Sequence, residues 1–184
     1  MLNRLRARDC SFRFVATVTT RPRRPKEVDG KDYQFVTEAE YDDILSEGGF
    51  LEHATVYGYR YGVPRRAVQE ALDRGEDVIL RVDVQGAETI KRVAPEAVFI
   101  FLMPSSLEEL RRRLRDRGAD QEKDLAVREK RALEELEQVD RFDYAVVNRE
   151  GCLDQAAAQV EAILIAEKCR VRRRRIALSE AARG

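Results

Sequence analysis

Residues 78–103 read VILRVDVQGAETIKRVAPEAVFIFLM. A β-branched apolar run at 78–82 predicts a short buried strand, and a helical pattern follows over 87–93. A second continuous apolar run at 97–103 predicts another buried strand. Runs this short, apolar apart from Arg81 and separated by a helix, suit a parallel sheet covered on both faces. The pattern extends in both directions. Downstream, 107–117 carries Leu107, Leu110 and Leu114 at helical spacing, 125–139 is a second amphipathic helix, and 144–147 is a strand. Upstream, 67–74 predicts a helix, and 12–19, with Phe12, Phe14 and the apolar patch from Val15 to Val18, predicts a strand. Ser105 with Glu108 and Thr37 with Glu40 have the spacing of capping boxes.

The chain has 184 residues, a length that suits one domain around one core. Hydrophobic residues make up 43% and charged residues 37%, which excludes a disordered chain and describes a heavily charged globular surface. No apolar run is long enough to cross a bilayer, and Arg4, Arg6 and Arg8 interrupt any apolar leader, so the expected setting is cytoplasmic, with no membrane partner. The 34 basic residues balance the 34 acidic ones, so overall charge supplies no reason to expect nucleic acid as a partner. The basic run at 172–175 lacks the aromatic interleaving of a nucleic-acid surface and reads as a solvated helix end. Cys10, Cys152 and Cys169 have no C-x-x-C spacing, and His53 is the single histidine, so no metal site is expected from protein side chains.

Residues 21–62 break the strand and helix alternation. Arg21, Pro22, Pro25, Asp29 and Gly30 are turn signals, followed by a strand at 33–36, a capped helix near 38–47 and a strand at 50–57. This predicts a small β-rich insertion. Thr19-Thr20-Arg21-Pro22-Arg23-Arg24-Pro25 places guanidinium groups on a proline-stiffened loop directly after a strand, where parallel sheets form ligand sites. Planar guanidinium forks suit a phosphate dianion. Taken alone, the arginines read equally well as surface side chains paired with Glu27 and Asp29.

Several motifs in order carry more. Residues 21–33, RPRRPKEVDGKDY, then Phe50-Leu51-Glu52, then Tyr59-Arg60-Tyr61-Gly62, then Val82-Asp83-Val84-Gln85-Gly86, then Val146-Val147-Asn148, closely resemble the guanylate kinase family in sequence and spacing. The resemblance covers nearly the whole chain. It implies an α/β fold of the P-loop nucleoside monophosphate kinase type: a parallel sheet flanked by helices, a β-rich GMP-binding subregion at 21–77 and a helical lid at 106–139, within one domain spanning 1–184. It further implies transfer of the γ-phosphoryl group of ATP to GMP, with Mg²⁺ as the required ion. Oligomeric state stays open, a homo-oligomer included.

By that resemblance, Arg21, Arg24, Tyr33 and Tyr61 hold the GMP phosphate, and Glu52 reads the base. Guanine offers adjacent N1–H and N2–H donors that a carboxylate accepts as a pair, whereas adenine presents an acceptor at N1. Thr17 matches a hydroxyl near the base, and Asp83 matches the second acid of the strand-end motif. On the other side, Arg113, Arg117 and Arg128 match arginines that reach the transferring phosphates, Arg117 also contacts ATP, and Asn148 lies near the adenine. The structural alternatives are half-buried strand tyrosines and a charged helix face with pairs such as Glu109 with Arg113.

Two positions depart from the family pattern. Val63 stands where many relatives carry Ser or Thr, so one base contact is expected to be absent or supplied elsewhere. Arg81 replaces an acid common two residues before Asp83. In addition, no Gly-rich loop ending in Gly-Lys-Ser/Thr occurs, and Met1 to Arg6 resembles the helix that follows such a loop. The expectation is therefore a sequence that begins downstream of the first central strand and the phosphate loop, and a chain that as written binds ATP poorly. An inactive GMP-binding or protein-interaction module is the alternative reading.

Overall fold

A computed structural model describes residues 4–5, 12–56, 58–116, 122–172, 174 and 176–179. The chain divides into two compact units, one of residues 12–97 with 176–179 and one of residues 4–5 with 98–174.

In the first unit, β1 (Phe12–Phe14) pairs in parallel with β6 (Asp77–Ile79). The stretch expected as one strand over 12–19 breaks at Val15-Ala16, and β2 (Thr17–Thr19) joins a different sheet. That sheet also contains β3 (Tyr33–Phe35), β4 (Phe50–Val56) and β5 (Tyr59–Pro64), in the order β3-β2-β5-β4. It is parallel between β2 and β3 and antiparallel elsewhere. The β-rich insertion thus recruits the strand before it.

Helix α1 (Glu38–Ser46) starts at the expected Thr37–Glu40 capping box: Thr37 Oγ1 accepts from the Glu40 N–H while Glu40 Oε2 accepts from the Thr37 N–H at 2.7 Å. Its Tyr41 packs on Phe50 with ring centroids 4.6 Å apart, and Val18, Val36, Ile44 and Leu45 complete this core. Burial pushes the Tyr41 phenol up to about 12, so it stays neutral and donates to the Tyr61 carbonyl at 2.7 Å. Helix α2 (Arg65–Asp73) leads into β6, and α3 (Val84–Val93) follows it, capped by Asp83, whose Oδ1 accepts from the Gly86 N–H at 2.8 Å. The strand expected at 78–82 is paired only through Ile79, leaving 80–83 as the connection into α3.

In the second unit, β7 (Ile100–Met103) pairs in parallel with β8 (Tyr144–Val147). Between them run α4 (Leu107–Asp116), α5 (Glu122–Leu136) and a 3-10 turn at Val139–Arg141; α6 (Leu153–Lys168) follows β8. Arg111 binds Glu129 at 2.6 Å and so links α4 to α5. The cap of α4 is one residue later than expected. Ser106 Oγ, rather than Ser105 Oγ, accepts from a helical N–H, that of Glu109, and the Glu109 carboxylate reaches back to the Ser105 N–H at 3.0 Å. Arg174 of the basic C-terminal run pairs with Asp143 at 3.3 Å and Glu167 at 3.2 Å. No helix among the described residues is long and apolar enough to cross a membrane.

Candidate active site

The four-stranded sheet decides which side chains share a face. Residues directly opposite one another in a ladder point the same way, and neighbours along a strand alternate. Thr17 lies opposite Tyr33, Thr19 opposite both Phe35 and Tyr61, Tyr61 opposite Ala54, and Val63 opposite Glu52. These residues therefore form one face. Val18, Gly62 and Phe50 belong to the other face, which α1 covers.

Glu52 reaches its face through an irregularity. Phe50 and Glu52, two residues apart, would share a face in a regular strand, but the register shifts between them. Phe50 consequently packs on Tyr41, and Glu52 turns toward the start of α3. There Glu52 is only 6% exposed, and among the described residues no hydrogen bond or ion pair reaches its carboxyl. Burial first, and the charge of Asp83 second, push its pKa up to about 7. No fully buried side-chain oxygen among the described residues lacks a partner, so the Glu52 oxygens keep a narrow opening to solvent, through which the donors of a ligand can reach acceptors that the protein leaves unused.

Gly86 makes room for this carboxyl. A Cβ at Gly86 would lie 3.0 Å from both Cδ and Oε1 of Glu52 and 2.9 Å from the Val82 Cβ. The third residue of α3 can therefore approach Glu52 only as glycine.

The arginine loop meets the opposite end of the same face. Arg21 is 9% exposed, and its guanidinium carbon lies 5.3 Å from the Tyr33 ring centroid and 5.7 Å from that of Phe35. Its Nη1 donates to the Pro22 carbonyl and its Nη2 to Glu27 Oε1, each at 2.7 Å. Burial works against the Arg21 charge, but Glu27 and Tyr61 outweigh it and raise the guanidinium pKa. Glu27 Oε2 accepts from the Arg24 N–H at 2.9 Å, so one carboxylate fixes both ends of the loop. Thr19 Oγ1 accepts from the Arg21 N–H at 3.2 Å and donates to the Arg60 carbonyl at 2.9 Å, which ties the loop to the sheet. The side chain of Arg24 is exposed. Asp29 Oδ1 accepts from the Phe35 N–H at 2.9 Å, and Gly30, at φ 71°, makes the turn that brings Tyr33 into the sheet. The Tyr33 and Tyr61 rings stand edge to face, 6.1 Å apart.

Thr17, Arg21, Tyr33, Glu52 and Tyr61 thus line one sheet face or its rim, with Asp83 at the start of the helix packed against it. In the second unit, Arg113 donates through Nη2 to Glu109 and to the Asn148 carbonyl, the latter at 2.6 Å. Asn148 is anchored after β8 by its N–H to the Met103 carbonyl at 2.8 Å. Arg128 is half-buried on α5, and Arg117 lies outside the described residues. No group of three or more His, Cys, Asp or Glu side chains suited to a metal ion occurs among the described residues.

The guanylate kinase family model matches residues 2–167. This chain belongs to the guanylate kinase family. A guanylate kinase of Clostridium acetobutylicum is 46% identical over 162 residues, covering 88% of this chain and 77% of that protein. One from Thermus thermophilus is 48% identical over 170 residues, covering 92% and 76%. The crystal structure of guanylate kinase from Anaplasma phagocytophilum matches with a TM-score of 0.78 at 35% identity, covering 95% of this chain and 83% of that one. The α/β fold of the family, with its parallel strands and flanking helices, is thereby established.

Within this family member, Val63 is 1% exposed and lies opposite Glu52, so an apolar side chain fills the place beside the acid. Arg81 stacks over the Tyr33 ring, 4.6 Å from its centroid. Sequence reasoning misses two supports. Read from the sequence, Glu27 is only a surface partner of the arginines, and Gly86 only a motif letter. The spacing Arg21–Glu27 does signal the pair, but nothing in the sequence shows that Gly86 lies beneath Glu52.

Proposed function

We propose that the chain is an ATP:GMP phosphotransferase, in which residues 21–77 form most of the GMP subregion and residues 106–139 the lid. One observation carries the reading: a Glu52 carboxyl, 6% exposed and without a hydrogen bond among the described residues, on the same sheet face as Tyr33, Tyr61 and Thr17, with Arg21 at the rim. Ionised Glu52 accepts from guanine N1–H and N2–H, and adenine would leave it with an unpaired acceptor. The guanidiniums of Arg21 and Arg24 and the phenols of Tyr33 and Tyr61 donate to the monoester, whose oxygens are acceptors only. Burial first, and then the charge of Asp83, which caps α3, raise the affinity of free Glu52 for a proton, so base binding satisfies a group held in a costly state.

The reaction joins an oxygen of the GMP phosphate to the γ-phosphorus of ATP as the β–γ bridging P–O bond breaks, giving GDP and ADP. Such a transfer depends on alignment and on donors aimed at the equatorial oxygens. Arg113, Arg117 and Arg128 are assigned to that task, and Asn148 to the adenine side. Mg²⁺ is held chiefly by phosphate oxygens and water, and would arrive on the triphosphate, where it neutralises charge. The described side chains build no cage for it. The proposed setting is the cytoplasm, with nucleotides as the partners.

The test is GDP formation from ATP and GMP by the purified chain, run against AMP. Transfer to GMP alone supports the reading. GMP binding without transfer favours a binding module, and equal use of AMP removes the role of Glu52.

A further inference from the structure

Arg81 lies on the connection between β6 and α3, two residues before the capping Asp83, at the carboxyl end of a parallel strand where ligands of α/β sheets bind. Its side chain is exposed, and it forms no ion pair among the described residues. Its guanidinium carbon is 4.6 Å from the centroid of Tyr33, and the same ring has Arg21 at 5.3 Å and Tyr61 at 6.1 Å. A guanidinium that stacks through its face keeps its five in-plane N–H donors for an acceptor.

The charge of the clasp gives those donors a purpose. Glu27 balances the charge of Arg21 and takes one N–H of Nη2, and the Pro22 carbonyl takes one N–H of Nη1, so Arg21 keeps donors for the monoester but adds little net charge. Arg24 then stands as one net positive charge facing a monoester that carries nearly two negative charges at neutral pH. Arg81 brings a second.

We propose that Arg81 is a third guanidinium of the monoester clasp, resting on Tyr33 and donating to the phosphate of the bound nucleoside monophosphate. The assignment rests on the GMP reading and adds to it a specificity residue for the charged 5′ group. Stacking of an exposed guanidinium on the half-buried Tyr33 ring is a weak interaction by itself, so the Arg81 side chain is held in place without being buried.

The test is calorimetric titration of the wild-type chain, Arg81→Gln and Arg81→Lys with GMP and with guanosine. Arg81→Gln is expected to weaken GMP binding by about tenfold, the loss of one charge-assisted hydrogen bond at a solvated site, and to leave guanosine affinity and the unfolding temperature unchanged. Arg81→Lys, which keeps the charge and loses the planar fork, is expected to fall between. Equal GMP affinity in wild type and Arg81→Gln overturns the assignment while leaving the GMP reading intact. A parallel loss for guanosine also overturns it, because the residue would then support the fold of the pocket rather than touch phosphate. A wild-type chain that binds neither ligand overturns both.

Discussion

Replacing Glu52 by Gln removes the titration of a carboxyl that the fold holds near neutrality, the one such carboxyl among the described residues. In the folded chain burial, followed by the Asp83 charge, raises its pKa to about 7 from an ordinary value of 4.5. The folded state therefore binds the proton more tightly than the unfolded state, and stability falls as pH rises from about 4.5 to about 7. Above that window the full cost of an ionised, unpartnered Glu52 is present. From the difference in pKa, the loss between pH 5 and pH 8 is about 2 to 3 kcal/mol. Gln cannot ionise, so its own pH-independent cost or benefit cancels when the two chains are compared at two pH values. Urea unfolding of both chains at pH 5 and pH 8 measures this. Glu27 and Glu109, both held below the ordinary range, contribute equally to the two chains. The stability of Glu52→Gln relative to wild type should rise by that amount from pH 5 to pH 8. A difference that does not change with pH would refute the claim that the site is built around a destabilised carboxyl.

Gly86→Ala places a methyl 3.0 Å from the Glu52 carboxyl, and should reduce GMP affinity about tenfold or more and stability by about 1 to 3 kcal/mol, read by titration and by denaturation. Gly62→Ala brings a Cβ within 2.5 Å of the Phe50 ring, on the face away from the ligand, and should lower stability by about 1 to 3 kcal/mol in the same denaturation assay. Thr37→Ala opens the capping box of α1 and should cost about 1 kcal/mol in thermal or urea unfolding, with guanosine affinity unchanged.

The strand and helix alternation of the fold was legible because apolar runs and helical spacing are local. Partner choice was not. The stretch 12–19 has one apolar character but serves two sheets, since β1 pairs with β6 while β2 pairs with β3 and β5. The apolar run at 78–82 likewise hides a change from paired strand to the connection that carries Arg81 and Asp83. Two adjacent serines left the cap of α4 uncertain by one position. At the candidate site, residue types with the family spacing pointed to Glu52, the arginines and the tyrosines, and the fold places Thr17, Tyr33, Glu52 and Tyr61 on one sheet face. The register shift that separates Phe50 from Glu52 arises from long-range pairing, and so does the contact of Gly86 with the carboxyl. Neither leaves a local pattern. Glu27 was visible at the right distance along the chain, but its bridging of Arg21 to the Arg24 backbone belongs to the folded loop.

The most direct measurement is the affinity of the wild-type chain for GMP and for AMP at pH 8, where Glu52 is ionised. Both carry the same phosphate, so the ratio isolates the base. GMP should bind at least about a hundredfold more tightly, as a site that pairs a buried carboxylate with guanine's donors would require. Equal affinities would contradict the account.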